Sequence, residues 1–189
     1  MSDEWYTLPR YIDAARKVMG EIDLDPASCE VANRTVKAKQ FYTQEQNGLL
    51  LPWHGRIWLN PPYGRTANQQ GKGLSTIRLF TEKLVQSYES GEVTAAIVLA
   101  TAEVNAKWFQ PLWAYPICVP NHRVNFLVSH LPKSKKYSQM FGTVFVYLGP
   151  DTQKFAEVFC RFGHIVQRIQ RPAQEIHASE LWLESEKAS

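Results

Sequence analysis

The 189-residue sequence predicts an α/β protein, a mostly parallel sheet flanked by helices. Three observations predict it. Residues 95–99, Ala-Ala-Ile-Val-Leu, form a continuous apolar run, the pattern of a strand covered on both faces. Ile57-Trp58-Leu59 is a shorter run that Pro61 and Pro62 stop abruptly. Between such runs lie segments of helical spacing, so strand and helix alternate along the chain.

In order, Pro9 opens a helix whose apolar face is Tyr11, Ile12, Ala15, Val18 and Met19, and Gly20 ends it. Residues 22–25 alternate like a strand and stop at Pro26. Alanine, valine and charged residues predict a second helix over 27–39. Apolar islands at 41–42 and 49–51 flank a polar loop, and the strand ending at Asn60 follows. Residues 64–73 are polar, with no apolar anchor. Ser75 is placed to cap a helix running to about Ser90, with Ile77, Phe80, Leu84 and Tyr88 on one face and Gly91 as the stop. After the strand at 95–99, Trp108, Phe109, Leu112 and Trp113 fit a further helix. Residues 117–119, 124–127 and 143–148 are strand-like, 154–162 helical and 164–169 a last strand. Residues 1–172 read as one domain. The polar tail 173–189 carries only Leu181-Trp182-Leu183, suited to a short docking helix.

The length suits one substantial core. An apolar fraction of 44% and a charged fraction of 21% are ordinary for a globular chain, and a net charge of +3 is compatible with a polyanionic partner. Three widely separated cysteines exclude a disulfide framework or thiolate cluster, and the five histidines lack metal-ligand spacing. The acidic, polar start and the absence of a long apolar stretch predict a cytoplasmic protein.

The chemistry is carried by Asn60-Pro61-Pro62-Tyr63. Pro61 pushes Asn60 towards extended geometry, fixing its side-chain direction at the carboxyl end of a strand, where α/β sheets bind ligands. An amide oxygen and the rigid Pro61 carbonyl held side by side can accept both hydrogens of an exocyclic amine. Tyr63 can stack on the base that carries it, and Pro62 stiffens the loop. This is equipment for methylating an amino group on a nucleobase, because two acceptors concentrate a lone pair that is otherwise delocalised into the ring. The alternative is a proline-terminated strand with Tyr63 in packing.

Two more strings matter. In Trp5-Tyr6-Thr7-Leu8-Pro9, Thr7 either caps the first helix or belongs to a carboxylate site at that helix start. In Asp23-Leu24-Asp25-Pro26-Ala27-Ser28, a carboxylate at a strand end can bind a ribose hydroxyl or an ammonium, or Asp25 can cap the second helix. A glycine-rich dinucleotide fingerprint is absent, and Gly71-Lys72-Gly73 is no Walker loop.

Those strings, with Asn47-Gly48-Leu49 followed by Trp53 and a later Arg123-to-Phe126 Arg-x-x-Phe, resemble the phage-type DNA adenine-N6 methyltransferase (Dam) family from about Asp3 to Gly149. Asn47 stands where that pattern usually has Asp, and Leu8 separates Thr7 from Pro9. The resemblance implies a single-domain Rossmann-like methyltransferase sheet with flanking helices and S-adenosylmethionine as cofactor. Trp5, Tyr6 and Thr7, together with Asp23, Asp25, Pro26, Ala27 and Ser28, would surround its methionine and ribose, with Asn47 near its adenine. The partner implied is DNA with the target adenine flipped out, and Asn60, Pro61, Pro62 and Tyr63 would be catalytic. Arg123 and Phe126 are candidates for the target-base pocket, and Lys133, Lys135 and Lys136 for phosphates. Transfer to glutamine or to cytosine N4, or a silent nucleic-acid-binding module on the same scaffold, are the alternatives. The short segments 64–73 and 129–139 are the only candidates for reading flanking bases, which predicts a short or relaxed recognition site.

Overall fold

The computed structural model describes residues 5–67, 73–128, 137–138 and 141–169. A seven-stranded sheet forms its middle layer. The strands are β2 (Leu24–Asp25), β3 (Gln40–Phe41), β4 (Gly55–Leu59), β7 (Val93–Thr101), β8 (Ile117–Pro120), β11 (Thr143–Leu148) and β12 (Gly163–Val166), in the order β12-β8-β11-β7-β4-β2-β3. The pairings β3-β2, β2-β4 and β4-β7 are parallel, whereas β11 runs antiparallel to both β7 and β8, and β12 antiparallel to β8. The α/β class is as expected, but the sheet is mixed. Its antiparallel half was hidden because apolar content and length do not encode strand direction.

Pleat alternation sorts side chains onto two faces. Trp58, Ala95, Ile97, Leu99, Phe145 and Tyr147 face one core, shared with α1 (Pro9–Met19), α2 (Glu30–Val36) and α4 (Thr152–Phe159). Ile57, Leu59, Ala96, Val98, Ala100, Val144 and Val146 face the other, under α3 (Thr76–Glu89) and a 3-10 helix, Lys107–Ala114. Both faces are covered, which explains the unbroken apolar run of β7.

A small antiparallel sheet stands beside this sandwich, with β9 (Asn125–Val128) between β1 (Trp5–Thr7) and β10 (Tyr137–Ser138). A third pairing joins β5 (Arg65–Ala67), in the segment expected to lack an apolar anchor, to β6 (Gly73–Ser75) at that segment's end. A three-residue ladder is made by backbone hydrogen bonds and needs no apolar periodicity, so its sequence is silent about it. Ser75 occupies the N-cap position of α3 without a side-chain cap bond, and α1 likewise starts uncapped at Leu8 with Pro9 inside its first turn. The tail, with Leu181-Trp182-Leu183, lies outside the described residues. No helix among the described residues is long and apolar enough to cross a membrane.

Candidate active site

From β2 the chain passes outward to β3, then returns to the other side of β2 as β4. Such a switch point opens a crevice at the carboxyl ends of the two central strands. Here those ends carry Asp25 and Asn60. Leu24 pairs with Ile57, so Asp25 lies beside Trp58, with Asn60 two residues further along. Leu24 faces the α3-side core, and alternation turns Asp25 towards the α1 side. Asn60 points there too, because its Nδ2 donates to the Trp5 carbonyl of β1 at 3.0 Å.

That bond decides the chemistry of Asn60. A carbonyl can only accept, so it holds the amide nitrogen and turns Oδ1 the other way. Oδ1 is buried, and no described residue donates to it. An unpaired buried acceptor costs about 1–3 kcal/mol, which a fold tolerates where a ligand completes the bond. The loop after it is held from α3: Thr76 Oγ1 donates to the Pro62 carbonyl at 2.7 Å, and Thr76 N to the Gly64 carbonyl at 3.1 Å. Gly64, at φ +143°, makes the exit turn that a side chain would resist. Pro61 is buried and Pro62 exposed, while Tyr63 is half-buried against the α3-side core.

Asp25 caps nothing. α2 begins at Glu30 with Cys29 as its N-cap, the sulfur accepting from Ala32 N at 3.4 Å. The carboxyl is buried without a cationic partner among the described residues, and burial pushes its pKa up to about 7. The Ala27 amide, 3.3 Å from Oδ1, acts against that shift. A buried carboxyl with its pKa so raised, at a switch-point crevice, is a functional-site candidate. Thr7 does not cap α1 either; it is buried in β1, paired with Phe126.

Asp23 is a correction. It sits at the amino end of β2, where its Oδ2 accepts from Arg56 Nε at 2.7 Å and from Arg56 N at 2.9 Å, with Lys39 Nζ 3.1 Å from Oδ1. These donors hold its carboxyl well below the usual range. It ties β2 to β4 at the far edge from Asn60 and is not part of the crevice.

The 47–49 segment does reach the site. A Cβ on Gly48 would collide with the Pro26 carbonyl, so the two loops touch backbone to backbone. Trp53 Nε1 donates to the Gly48 carbonyl at 2.8 Å, and Lys83 of α3 reaches the Leu49 and Leu51 carbonyls at 2.7 and 2.6 Å. Asn47 itself is exposed at φ +53°, its Oδ1 accepting from Leu49 N at 3.3 Å.

β1 bridges the strings. Trp5 holds Asn60, while Cys29 Sγ, at the end of the Asp25–Ser28 turn, lies 3.9 Å from the Tyr6 hydroxyl. Phe126 is a second correction. It is fully buried, its ring 5.7 Å from that of Trp5 in an edge-to-face contact, so it is core and lines no base pocket. Arg123 is exposed on the turn before β9. Lys133, Lys135 and Lys136 lie outside the described residues.

Sequence reasoning missed three positioning groups: the Trp5 carbonyl, Thr76 and Lys83. The first is backbone and leaves no compositional trace. The others sit seven residues apart on one side of α3, a spacing that could have drawn attention to them.

The family model described as DNA N-6-adenine-methyltransferase (Dam) matches residues 1–158, taking in every string that converges on this crevice. No curated protein and no solved structure matches the chain. With a match over most of its length, the chain belongs to the DNA N-6-adenine-methyltransferase (Dam) family.

Proposed function

We propose that this protein methylates the exocyclic amine of an adenine flipped out of DNA, with S-adenosylmethionine as methyl donor on a Rossmann-like sheet. The observation that carries the reading is the buried, unpartnered Oδ1 of Asn60, aimed by the Trp5 carbonyl. Oδ1 and the Pro61 carbonyl accept the two amine hydrogens, drawing the nitrogen towards tetrahedral geometry. The Asn60 amide is held before substrate arrives, so little reorganisation is needed in the transition state. Tyr63 offers its ring to the base. The amine is otherwise engaged in pairing, so the adenine must leave the duplex stack.

The residues present fit the cofactor. Asp25 supplies a buried carboxylate for a hydroxyl or ammonium, Pro26-Ala27-Ser28 and Gly48 form a close backbone wall, and Trp5 to Thr7 close the α1 side. When bound, S-adenosylmethionine supplies a methyl group on a positively charged sulfur. Lys83 keeps the Gly48 wall in place. Lys83→Met, which retains the stem but none of the carbonyl bonds, is expected to weaken S-adenosylhomocysteine binding about tenfold in calorimetry, with turnover at saturating cofactor nearly unchanged. Arginine at 83 should restore part of the affinity.

The direct test is incubation with labelled cofactor and DNA, followed by digestion and identification of the modified nucleoside. N6-methyladenine is expected. Label in cytosine, or only in added protein, would overturn the assignment. In the same assay Tyr63→Phe should be mild, since the stacking face survives, and Tyr63→Ala should lose at least about tenfold in kcat/KM. Equal effects from the two would show that the ring does not contact the base.

A further inference from the structure

Arg10 and Arg161 stand apart from the other paired arginines. Arg34, Arg56 and Arg78 each face a carboxylate. Among the described residues neither Arg10 nor Arg161 has one. Arg10 lies 4.6 Å over the Tyr11 ring, and Arg161 lies 4.7 Å over that of Phe162. Those two rings touch at 5.0 Å, so both guanidiniums rest on one aromatic base. Beside them His122 joins the group, its Nε2 3.2 Å from the Tyr11 hydroxyl and 3.3 Å from Arg10, its Nδ1 2.7 Å from Asn121 Oδ1. Arg10, Arg161, Asn121, His122 and Arg123 are all exposed.

Strand directions place this group on the same edge as Asn60. β8 opposes β11, which opposes β7, so β8 runs with β4 and its carboxyl end, Pro120, shares the edge. The turn 121–124 leaves from there. The Gly163–Pro120 pair and the Asn121 N bond to the Phe162 carbonyl bring the end of α4 to the same place. α1 begins there and ends at the opposite edge, where the Met19 carbonyl meets Arg56. From the turn, β9 runs directly to β1, whose Trp5 holds Asn60.

We infer that Arg10 and Arg161, with His122 beside Arg10, form the surface that grips the phosphate backbone of the DNA beside the flipped base. The inference rests on the proposed function. Arg10 Nη2 donates to the Tyr11 hydroxyl at 2.5 Å, but guanidiniums stacked on rings and free of carboxylates keep their remaining donors for phosphate oxygens, and the stacking limits the entropy lost on binding. Phosphate contacts at this edge orient the duplex over the crevice without reading its sequence.

The test uses the full chain, duplex DNA containing adenines and fluorescence anisotropy across a salt series. Arg10→Gln/Arg161→Gln is compared with Lys17→Gln/Lys154→Gln, which removes two exposed charges from the opposite ends of the same two helices. The arginine pair is expected to reduce the slope of log affinity against log salt by about 2, since each lost phosphate contact contributes about 0.9. Affinity for S-adenosylhomocysteine should not move, and Arg10→Lys/Arg161→Lys should retain most of the slope. Unchanged slope in the glutamine pair, or an equal change in the Lys17/Lys154 pair, would overturn the inference while leaving the proposed function standing. Parent protein that binds S-adenosylhomocysteine but no DNA would defeat both.

Discussion

Asn60→Ala is expected to lower kcat for methyl transfer by at least about 10²–10³-fold while leaving S-adenosylhomocysteine affinity within about twofold. The magnitude is that of removing one preorganised acceptor whose bond strengthens as charge develops on the amine. The asymmetry follows from direction: Oδ1 is aimed away from the Trp5 carbonyl, and in the proposed mechanism it serves the target amine, not the cofactor. The substitution also releases the Trp5 carbonyl, so thermal unfolding of the variant must be followed alongside. A folded variant with normal cofactor affinity and near-normal turnover would rule out the proposed role of the amide.

Asp25 should show the opposite asymmetry. Asp25→Asn is expected to stabilise the ligand-free protein above about pH 7 and yet to weaken S-adenosylhomocysteine binding by at least about tenfold. The native carboxyl titrates near 7, above its unfolded value, so the unfolded chain releases its proton first. Its penalty is therefore absent below about pH 4, grows as pH rises through the interval to about 7, and levels off above that. Asparagine removes the titration and hence the penalty. A ligand that donates hydrogen bonds to the carboxylate must take it ionised, so parent affinity should fall up to about tenfold for each pH unit below 7. In Asp25→Asn that pH dependence should vanish. Calorimetry at several pH values and thermal melts of the ligand-free protein measure the two signs independently. Tight, pH-independent binding by the variant would remove Asp25 from the cofactor site.

The residues that bear these two predictions differ in how they could be known beforehand. Asn60 stood out as a candidate because two prolines and an aromatic at the end of an apolar strand form a local, stiff signal. Asp25 was ambiguous, since an acid before proline suits a helix start as well as a ligand. Only the late start of α2, at Glu30, separates those readings. Phe126 and Asp23 were misleading for a related reason. An aromatic in a short strand and an acid in a strand look alike in one dimension whether they meet solvent, core or an arginine.

From the sequence alone came the α/β class, the extent of α1 and α3, the continuous buried strand β7 and the candidate tetrapeptide Asn60 to Tyr63. All depend on residues near one another in the chain, through apolar period, proline and glycine punctuation. Tertiary structure decided that β11 and β12 run antiparallel, that β1 lies along β9 to present the Trp5 carbonyl, and that Arg56 claims Asp23. It also decided that Lys83 ties α3 to the loop at Gly48 and that the rings beneath Arg10 and Arg161 touch. These pairings join residues tens of positions apart through backbone groups and charges. Their geometry exists only once the sheet has brought the carboxyl ends of its strands together.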